Sequence, residues 1–167
     1  MDLVLKTLTC ELVSQEYVNW FSDMEVTKFS DNQYKIFSIE SQKKYVENCI
    51  NNADSELYGV FDHNRHIGNI MINDLQNHHR NAKITYVIGD KSYWGKGVGS
   101  FAVAEIIKKA SYQFHLNKLC AGIADENIGS KKVLEKNGFL LEGIREKHLF
   151  YNGKFYNQLD YGLVLIN

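Results

Sequence analysis

The stretch Lys91-Ser92-Tyr93-Trp94-Gly95-Lys96-Gly97-Val98-Gly99 places a glycine at every second position from residue 95. Residues 82–88 before it are rich in β-forming residues, and residues 98–115 after it show the apolar periodicity of a helix. The predicted order is therefore strand, glycine loop, helix. Glycines let a ligand approach the backbone, and the first N–H groups of a helix point outward without intrahelical partners. Together with the helix dipole, this loop is predicted to favour an anionic group such as a phosphate.

The spacing of the glycines excludes two common phosphate-binding loops. A P-loop needs a glycine, four residues and then Gly-Lys-Ser/Thr, which the chain lacks. In a dinucleotide fingerprint starting at Gly95 and Gly97, the third glycine would fall at Ser100. What remains is x-G-x-G-x-G before a helix, for which a tight turn without a ligand is the alternative explanation.

Composition narrows the class of protein. With 167 residues, 44% hydrophobic and 23% charged, the chain is predicted to form one globular domain, residues 1–167. The net charge of −1 argues against a nucleic-acid partner. No apolar run approaches the roughly 20 residues of a membrane span, and residues 1–6 lack the layout of a signal peptide. The three widely spaced cysteines match neither a disulfide framework nor a zinc site, so no metal and a cytoplasmic location are predicted.

Hydrophobic patterns predict an α/β (α+β) fold with seven strands and four helices. Strands are predicted at residues 3–9, 57–62, 66–73, 82–88, 118–124, 139–151 and 155–166, and helices at residues 15–21, 39–51, 98–115 and 130–136. The sheet is mixed and mostly antiparallel, with a parallel pair across the helix that follows the glycine loop. Gly138 is predicted in a left-handed helix stop and Asn152-Gly153 in a type I′ hairpin turn. Residues 22–37 are predicted to form a loop that either covers a substrate or is merely anchored by its aromatic side chains.

Two stretches resemble the GNAT superfamily of N-acetyltransferases, in its RimJ/RimL-like branch. Residues 93–99 look like the pyrophosphate loop of that superfamily, and residues 127–139, followed by Glu142-Gly143, look like its later motif. The resemblance covers nearly the whole chain. It implies a GNAT fold of about seven strands and about four helices, acetyl-CoA as co-substrate, and direct attack of a primary amine on the thioester in a ternary complex.

The resemblance also implies roles for individual residues. Asn127 would contact the pantetheine arm, with a plain helix cap as the alternative, and Ser130 would hydrogen-bond the CoA sulfur or be a plain first-turn serine. Both are candidate catalytic residues. A backbone N–H near Val87 or Ile88 would polarise the thioester carbonyl. The pyrophosphate would lie on Gly95, Lys96, Gly97, Val98, Gly99 and Ser100, with the Lys96 side chain either ligating or solvated.

Three positions depart from the pattern of the superfamily. Trp94 stands at the Gln/Arg place, which costs little because backbone N–H groups hold the phosphates. Lys83 occupies the place where many relatives carry a glutamate base, and Leu134 the place of a tyrosine acid. A lysine cannot serve as the base without a strongly lowered pKa. The base is therefore unassigned, and its candidates, acting directly or through water, are Asp74, His78, His79 and Glu146.

The acceptor stays open between several amines. A small molecule is expected, either a nucleotide-linked amino sugar or a polyamine. An acidic pocket for a polyamine would draw on Asp23, Glu25, Asp31 and Glu40. A basic and aromatic pocket for a nucleotide would draw on Lys28, Tyr34, His78, His79 and Arg80. The alternatives are a protein N-terminal acetyltransferase, a non-catalytic acyl-CoA sensor and an interaction module without CoA, and a homodimer is left open.

Overall fold

The computed structural model describes residues 1–165, which contain one seven-stranded sheet in the order β1-β2-β3-β4-β5-β7-β6. β4 and β5 pair in parallel, and every other neighbouring pair is antiparallel. The predicted mixed, mostly antiparallel sheet is thus confirmed. The strands are β1 (Leu3–Thr7), β2 (Ser55–Asp62), β3 (Arg65–Asn73), β4 (Asn81–Ile88), β5 (Lys118–Ala124), β6 (Leu140–Tyr151) and β7 (Lys154–Val164). The predicted end of the last strand at Ile166 lies outside the described residues.

Five α-helices accompany this sheet within the described residues, one more than predicted. They are α1 (Gln15–Ser22), α2 (Met24–Thr27), α3 (Ile39–Ile50), α4 (Val98–Tyr112) and α5 (Ile128–Lys136), with 3₁₀ turns at Cys10–Leu12, Asp31–Tyr34 and Lys91–Tyr93. None of the helices within residues 1–165 combines the length and the apolar character needed to cross a membrane.

The prediction of an irregular loop at residues 22–37 was wrong, because α2 and a 3₁₀ turn lie within it. The Asp23 carboxylate accepts a hydrogen bond from Glu25 N at 2.9 Å and so caps α2. The Ser30 hydroxyl accepts one from Asn32 N at 3.2 Å and caps the 3₁₀ turn. Such short elements are stabilised by local side-chain bonds rather than by an apolar stripe, so periodicity does not detect them.

The predicted turn residues have the expected backbone. Gly138 has φ +84° just after α5, as a left-handed helix stop requires. Asn152 (φ +51°) and Gly153 (φ +76°) are both left-handed, as a type I′ turn between β6 and β7 requires. Ser38 opens α3 with a reciprocal capping box to Ser41.

Two apolar layers pack on opposite faces of the sheet. On β2, Tyr58 and Val60 belong to the layer under α4, and Leu57 belongs to the layer under α1 and α3. This alternation follows from the two-residue period of a strand. Burial of each Leu, Ile or Val side chain stabilises the fold by about 1.5–3 kcal/mol, so both layers of helices are held against the sheet.

β4 and β5 separate soon after they begin. Asn81, Ala82 and Lys83 pair with Lys118, Leu119 and Cys120, and the pairing ends there. Residues 84–88 therefore have no β5 partner, and the backbone groups on that edge of β4 are available to something other than the sheet. This separation creates the space in which the candidate site lies.

Candidate active site

One cleft of about 1450 Å³ opens where β4 and β5 separate. Its two ends differ in chemistry. The end that we call the glycine half is lined by the end of β4, the glycine loop and α5, with Gly95, Gly97, Gly99, Ser100, Asn127, Ser130, Lys132 and Lys136. The end that we call the aromatic half is lined by Tyr17, Phe21, Lys28, Phe29, Lys35, Phe37, Gln42, Tyr45 and Asn69.

The glycine loop has a backbone that only glycine adopts without strain. Gly95 and Gly97 have φ of +72° and +84°, and Gly97 is the N-cap of α4 with no side-chain cap. A Cβ at either position would meet nothing within 4 Å, so both glycines face open space in the cleft. The uncapped first N–H groups of α4 and this bare backbone together fit an anionic group such as a phosphate.

Trp94 ties the glycine loop to the end of β4. Its indole Nε1–H donates to the Ile88 carbonyl at 2.7 Å. The tryptophan at the place of the superfamily's Gln/Arg therefore has a structural role in this chain. It fixes where the loop begins relative to the strand that forms the floor of the cleft.

Val87 and Ile88 both line the cleft at the end of β4. On the other edge they face Asn69 and Gly68 of β3 in an antiparallel ladder. In such a ladder, adjacent residues alternate between directing their N–H groups to the partner strand and away from it. One of the two residues therefore directs its N–H away from β3 and toward the cleft, and the contact of that N–H with a thioester carbonyl stays a prediction.

Asn127 and Ser130 lie together at the start of α5. The Asn127 Oδ1 accepts a hydrogen bond from Ser130 N at 3.1 Å, so Asn127 acts as the helix cap. Both residues also line the cleft. A contact of Asn127 with a pantetheine arm and of Ser130 with a sulfur remain predictions.

The remaining loop positions are placed as follows. Val98, the first residue of α4, is buried at 1% exposure and still borders the cleft, and Ser100 lies in the first helical turn. Lys96 is exposed, its Nζ lies 5.8 Å from the centre of the Tyr93 ring, and it is not among the wall residues described for the cleft.

The four candidate bases are not brought to the cleft. Asp74, His78 and His79 lie in the connection from β3 to the start of β4, where the two histidine rings contact each other at a tilt of 41° with centroids 3.8 Å apart. Because β4 rises about 3.3 Å per residue, this turn is roughly 20 Å from the cleft end of the strand. Glu146 is exposed on β6 and is not a wall residue either. Lys83, at the start of β4, pairs with Asp74 at 3.1 Å.

Sequence reasoning missed a buried polar group in the aromatic half. Asn69 and Gln42 are 5% and 3% exposed, and their side-chain amides lie beside the Tyr17 hydroxyl. Burial raises the pKa of Tyr17, so this phenol stays protonated. The His66 Nε2 lies 2.7 Å from the Asn69 Oδ1, and the His66 ring packs edge-on against the Tyr17 ring with centroids 5.1 Å apart. The available signal was Asn69 itself, a polar residue inside the apolar strand β3.

Charges on the cleft wall are unequally compensated. Its two carboxylates are both paired, Glu25 with Lys91 at 2.5 Å and Glu126 with Lys154. Its four lysines, by contrast, have no carboxylate within ion-pairing distance in residues 1–165. They are Lys28 and Lys35 in the aromatic half and Lys132 and Lys136 in the glycine half. The cleft is therefore electropositive at both ends.

The sequence of residues 2–140 matches the family model of the acetyltransferase (GNAT) domain. The chain belongs to the GNAT acetyltransferase family. The fold above and the cleft between β4 and β5 are thus those of an acyltransferase family. The described residues hold no group of three or more His, Cys, Asp or Glu side chains placed to bind a metal ion.

Relatives of this family are N-acetyltransferases by name. The Probable N-acetyltransferase YjcK of Bacillus subtilis is 31% identical over 125 residues, which cover 70% of this chain and 67% of the relative. The ribosomal-protein-serine acetyltransferase of Escherichia coli is 27% identical over 101 residues, covering 60% of this chain and 56% of that protein.

Solved structures of the same fold include enzymes with different acceptors. The spermidine N-acetyltransferase of Vibrio cholerae, in complex with CoA and spermine, superposes with a TM-score of 0.86 at 18% identity, over 98% of this chain and 96% of that one. RimL, a ribosomal L7/L12 alpha-N-protein acetyltransferase in complex with CoA, gives 0.87 at 20% identity, over 99% and 95%. At these identities the likeness concerns the fold and does not decide the acceptor.

Proposed function

We propose that this protein is an acetyl-CoA-dependent N-acetyltransferase that acts on the primary amine of a small, phosphate-bearing molecule such as a nucleotide-linked amino sugar. The observation that carries the proposal is the single cleft in which the glycine half and the aromatic half meet at the end of β4. Two substrates bound in the two halves would touch there. Holding them in that geometry supplies much of the rate of a direct transfer.

The donor is assigned to the glycine half. The pyrophosphate of acetyl-CoA would lie against the backbone of residues 95–100 and the N-terminus of α4. Lys132 and Lys136, one turn apart on α5, would supply positive charge to the same phosphates. The inward N–H of Val87 or Ile88 would then polarise the thioester carbonyl and stabilise the oxyanion that forms during attack.

The acceptor amine must lose a proton, since an alkylammonium has a pKa near ~10.4. The only carboxylates among the described wall residues, Glu25 and Glu126, are held in ion pairs. We therefore assign the proton to solvent. The amine attacks in its neutral form, and water in the open cleft takes the proton.

The charge of the aromatic half supports a phosphate-bearing acceptor over a polyamine. Of the four acidic residues considered for a polyamine, Glu25 alone lines the cleft, and Lys91 neutralises it and also pairs with Asp23 at 2.7 Å. Lys28 and Lys35, which have no carboxylate partner in the described part of the chain, would repel a polycation and attract a phosphate. The rings of Phe29, Phe37 and Tyr45 provide flat apolar surface for a base or a sugar.

The other predicted basic residues do not contribute to this half. His78, His79 and Arg80 lie at the far end of β4, where the Arg80 side chain donates to the His115 carbonyl at 2.7 Å. The Tyr34 hydroxyl donates to the Phe150 carbonyl at 3.4 Å and accepts from Asn152 N at 3.2 Å, so it anchors its segment to the β6–β7 hairpin.

This anchoring supports a small acceptor. Between α2 and α3, Phe29 packs edge-on against Tyr156 of β7, with ring centroids 5.6 Å apart, and Tyr34 holds the hairpin tip. The segment thus extends from the aromatic half to the hairpin formed by β6 and β7. This path fits the covering role suggested for residues 22–37. A ribosomal protein, the acceptor in the names of two of the similar proteins, would need its chain to pass this segment.

A panel of amines tests the proposal. Release of the CoA thiol is measured from acetyl-CoA with a nucleotide-linked amino sugar, spermidine and an N-terminal peptide of a ribosomal protein. We expect saturable release and an acetylated product with the amino sugar. Acetylation of spermidine or the peptide alone would refute the acceptor. Background release with every amine, together with a rise of the melting temperature on adding CoA, would indicate the non-catalytic sensor.

A further inference from the structure

Tyr86 lies on the wall of the cleft where β4 faces α5. Its hydroxyl donates to the Ser130 carbonyl at 3.3 Å, across the gap left by the separation of β4 from β5. The residue directly precedes Val87 and Ile88, which carry the predicted carbonyl-polarising N–H. A hydrogen bond of 3.3 Å is long, so a better acceptor placed in the gap would draw the hydroxyl toward itself.

The position at which the superfamily usually carries a proton-donating side chain has no such side chain in this protein. Leu134 stands there, fully buried in the core beneath α4. Of the other protic side chains on this part of the wall, Thr85 lies on the opposite face of β4 from Tyr86, because successive side chains of a strand alternate. Ser100 lies in the first turn of α4, beside the predicted phosphate site. Tyr86 and Ser130 remain, on facing walls of the gap.

The thioester sulfur must lie close to this gap if the proposed function is right, and the inference rests on it. The carbonyl oxygen and the sulfur are bonded to the same carbon. A carbonyl held by the N–H of Val87 or Ile88 therefore places the sulfur beside the neighbouring residue of β4 or beside the first turn of α5. The Tyr86 hydroxyl is at that place.

We propose that the Tyr86 hydroxyl donates a hydrogen bond to the CoA sulfur and stabilises the thiolate as it leaves. The amine nitrogen forms its bond to the carbonyl carbon, the carbon–sulfur bond breaks, and its electron pair moves to sulfur. Tyr86 keeps its proton throughout. The proton lost by the amine goes to water, so charge and atoms balance without a further reactant.

The chemistry of the phenol agrees with a hydrogen bond rather than a proton transfer. Burial raises the pKa of Tyr86 to about 12, and its bond to Ser130 lowers it by less. A thiol has a pKa of about 8.5, so moving the proton from this phenol to a thiolate would be uphill. Donation to the developing charge, with the proton retained, is favourable in a partly buried site.

Replacement of the hydroxyl tests the proposal through kinetics. For Tyr86→Phe we expect kcat to fall about 10- to 100-fold, with KM for acetyl-CoA and the melting temperature nearly unchanged. The matched control is Tyr161→Phe, because the Tyr161 hydroxyl also bonds α5, at Glu135 Oε1 (3.2 Å), but is not part of the cleft wall. An unchanged kcat in Tyr86→Phe would overturn the inference while leaving the proposed function intact.

A second measurement separates catalysis from support of α5. The absorbance of the CoA thiolate is measured as a function of pH for unacylated CoA bound to the wild type, to Tyr86→Phe and to Tyr161→Phe. We expect the pKa of the bound thiol to rise by about one unit in Tyr86→Phe alone, a tenfold change. Identical titrations with weaker CoA binding would show that Tyr86 only supports the helix. This measurement needs no acceptor, so it remains decisive even if no amine is turned over.

Discussion

At the scale of single residues, Gly97 has two properties that a side chain would remove. Its φ of +84° lies in the left-handed region, and the direction in which a Cβ would point is open cleft. The first property concerns stability and the second concerns the ligand. Gly153 shares both the left-handed φ (+76°) and the open surroundings, but it lies in the hairpin turn. The pair therefore offers a matched comparison.

We expect Gly97→Val to lower the free energy of unfolding by about 1–2 kcal/mol and to weaken CoA binding at least about tenfold. The cause of the weaker binding is the side chain between the backbone and the pyrophosphate. Gly153→Val should lose similar stability and bind CoA normally. Calorimetric titration with CoA measures both variants. Unchanged CoA affinity in folded Gly97→Val would disprove the assignment of the loop.

Lys28 and Lys35 are the residues that the proposed acceptor depends on. Replacing either by alanine should raise KM for a phosphate-bearing acceptor about tenfold, the equivalent of ~1.4 kcal/mol, because a charge-assisted contact is lost. KM for acetyl-CoA should not change. Lys44→Ala, on the exposed face of α3 and outside the cleft wall, serves as control. Equal kinetics in all three variants would mean that the lysines do not face the acceptor.

At the scale of secondary-structure elements, α5 depends on Asn127 both for its start and for its predicted contact with the donor. Asn127→Ala should lower the free energy of unfolding by about 1 kcal/mol, since the cap on Ser130 N is lost. Asn127→Ser keeps a capping oxygen but lacks the amide. We expect its melting temperature to be near that of the wild type and its KM for acetyl-CoA to be raised. A wild-type KM for acetyl-CoA in Asn127→Ser would show that Asn127 acts only as the cap of α5 and does not contact the donor.

The strands and long helices could be predicted because their signals are local. Gly138, Asn152 and Gly153 sit where their turn chemistry requires, and residues 98–112 carry an apolar stripe. The separation of β4 from β5 could not be predicted, because it depends on how distant strands twist apart. Tyr17 and Asn69 were missed for the same reason, since they come together from different elements. The candidate bases at residues 74–79 were chosen by residue type. They precede the first residue of β4, whereas the cleft lies at the last residues of that strand.

At the scale of the whole molecule, the distribution of charge decides what the cleft attracts. Net charge is only −1, yet the lysines of the cleft have no carboxylate partner within residues 1–165, and the carboxylates of the cleft are neutralised. Association with an anionic acceptor should therefore slow as salt rises, because screening shortens the range of attraction to about 8–10 Å at physiological ionic strength.

The same distribution predicts the pH profile. With no unpaired carboxylate among the described wall residues, kcat/KM for the acceptor should rise with pH and level off at the pKa of the acceptor's own amine. Initial rates across a pH series, with two acceptors of different amine pKa, check this. A plateau at one fixed pH for both acceptors would reveal a base in the enzyme and contradict transfer of the proton to solvent.

In the proposed reaction, acetyl-CoA and a phosphate-bearing amine meet in one cleft and react directly. The measurement that tests it most directly is a matrix of initial rates of thiol release, varying acetyl-CoA against a nucleotide-linked amino sugar. We expect saturation by both substrates and reciprocal plots that intersect, as a ternary complex requires. Parallel plots, which indicate a covalent acetyl-enzyme, or release no faster than without the amino sugar, would contradict it.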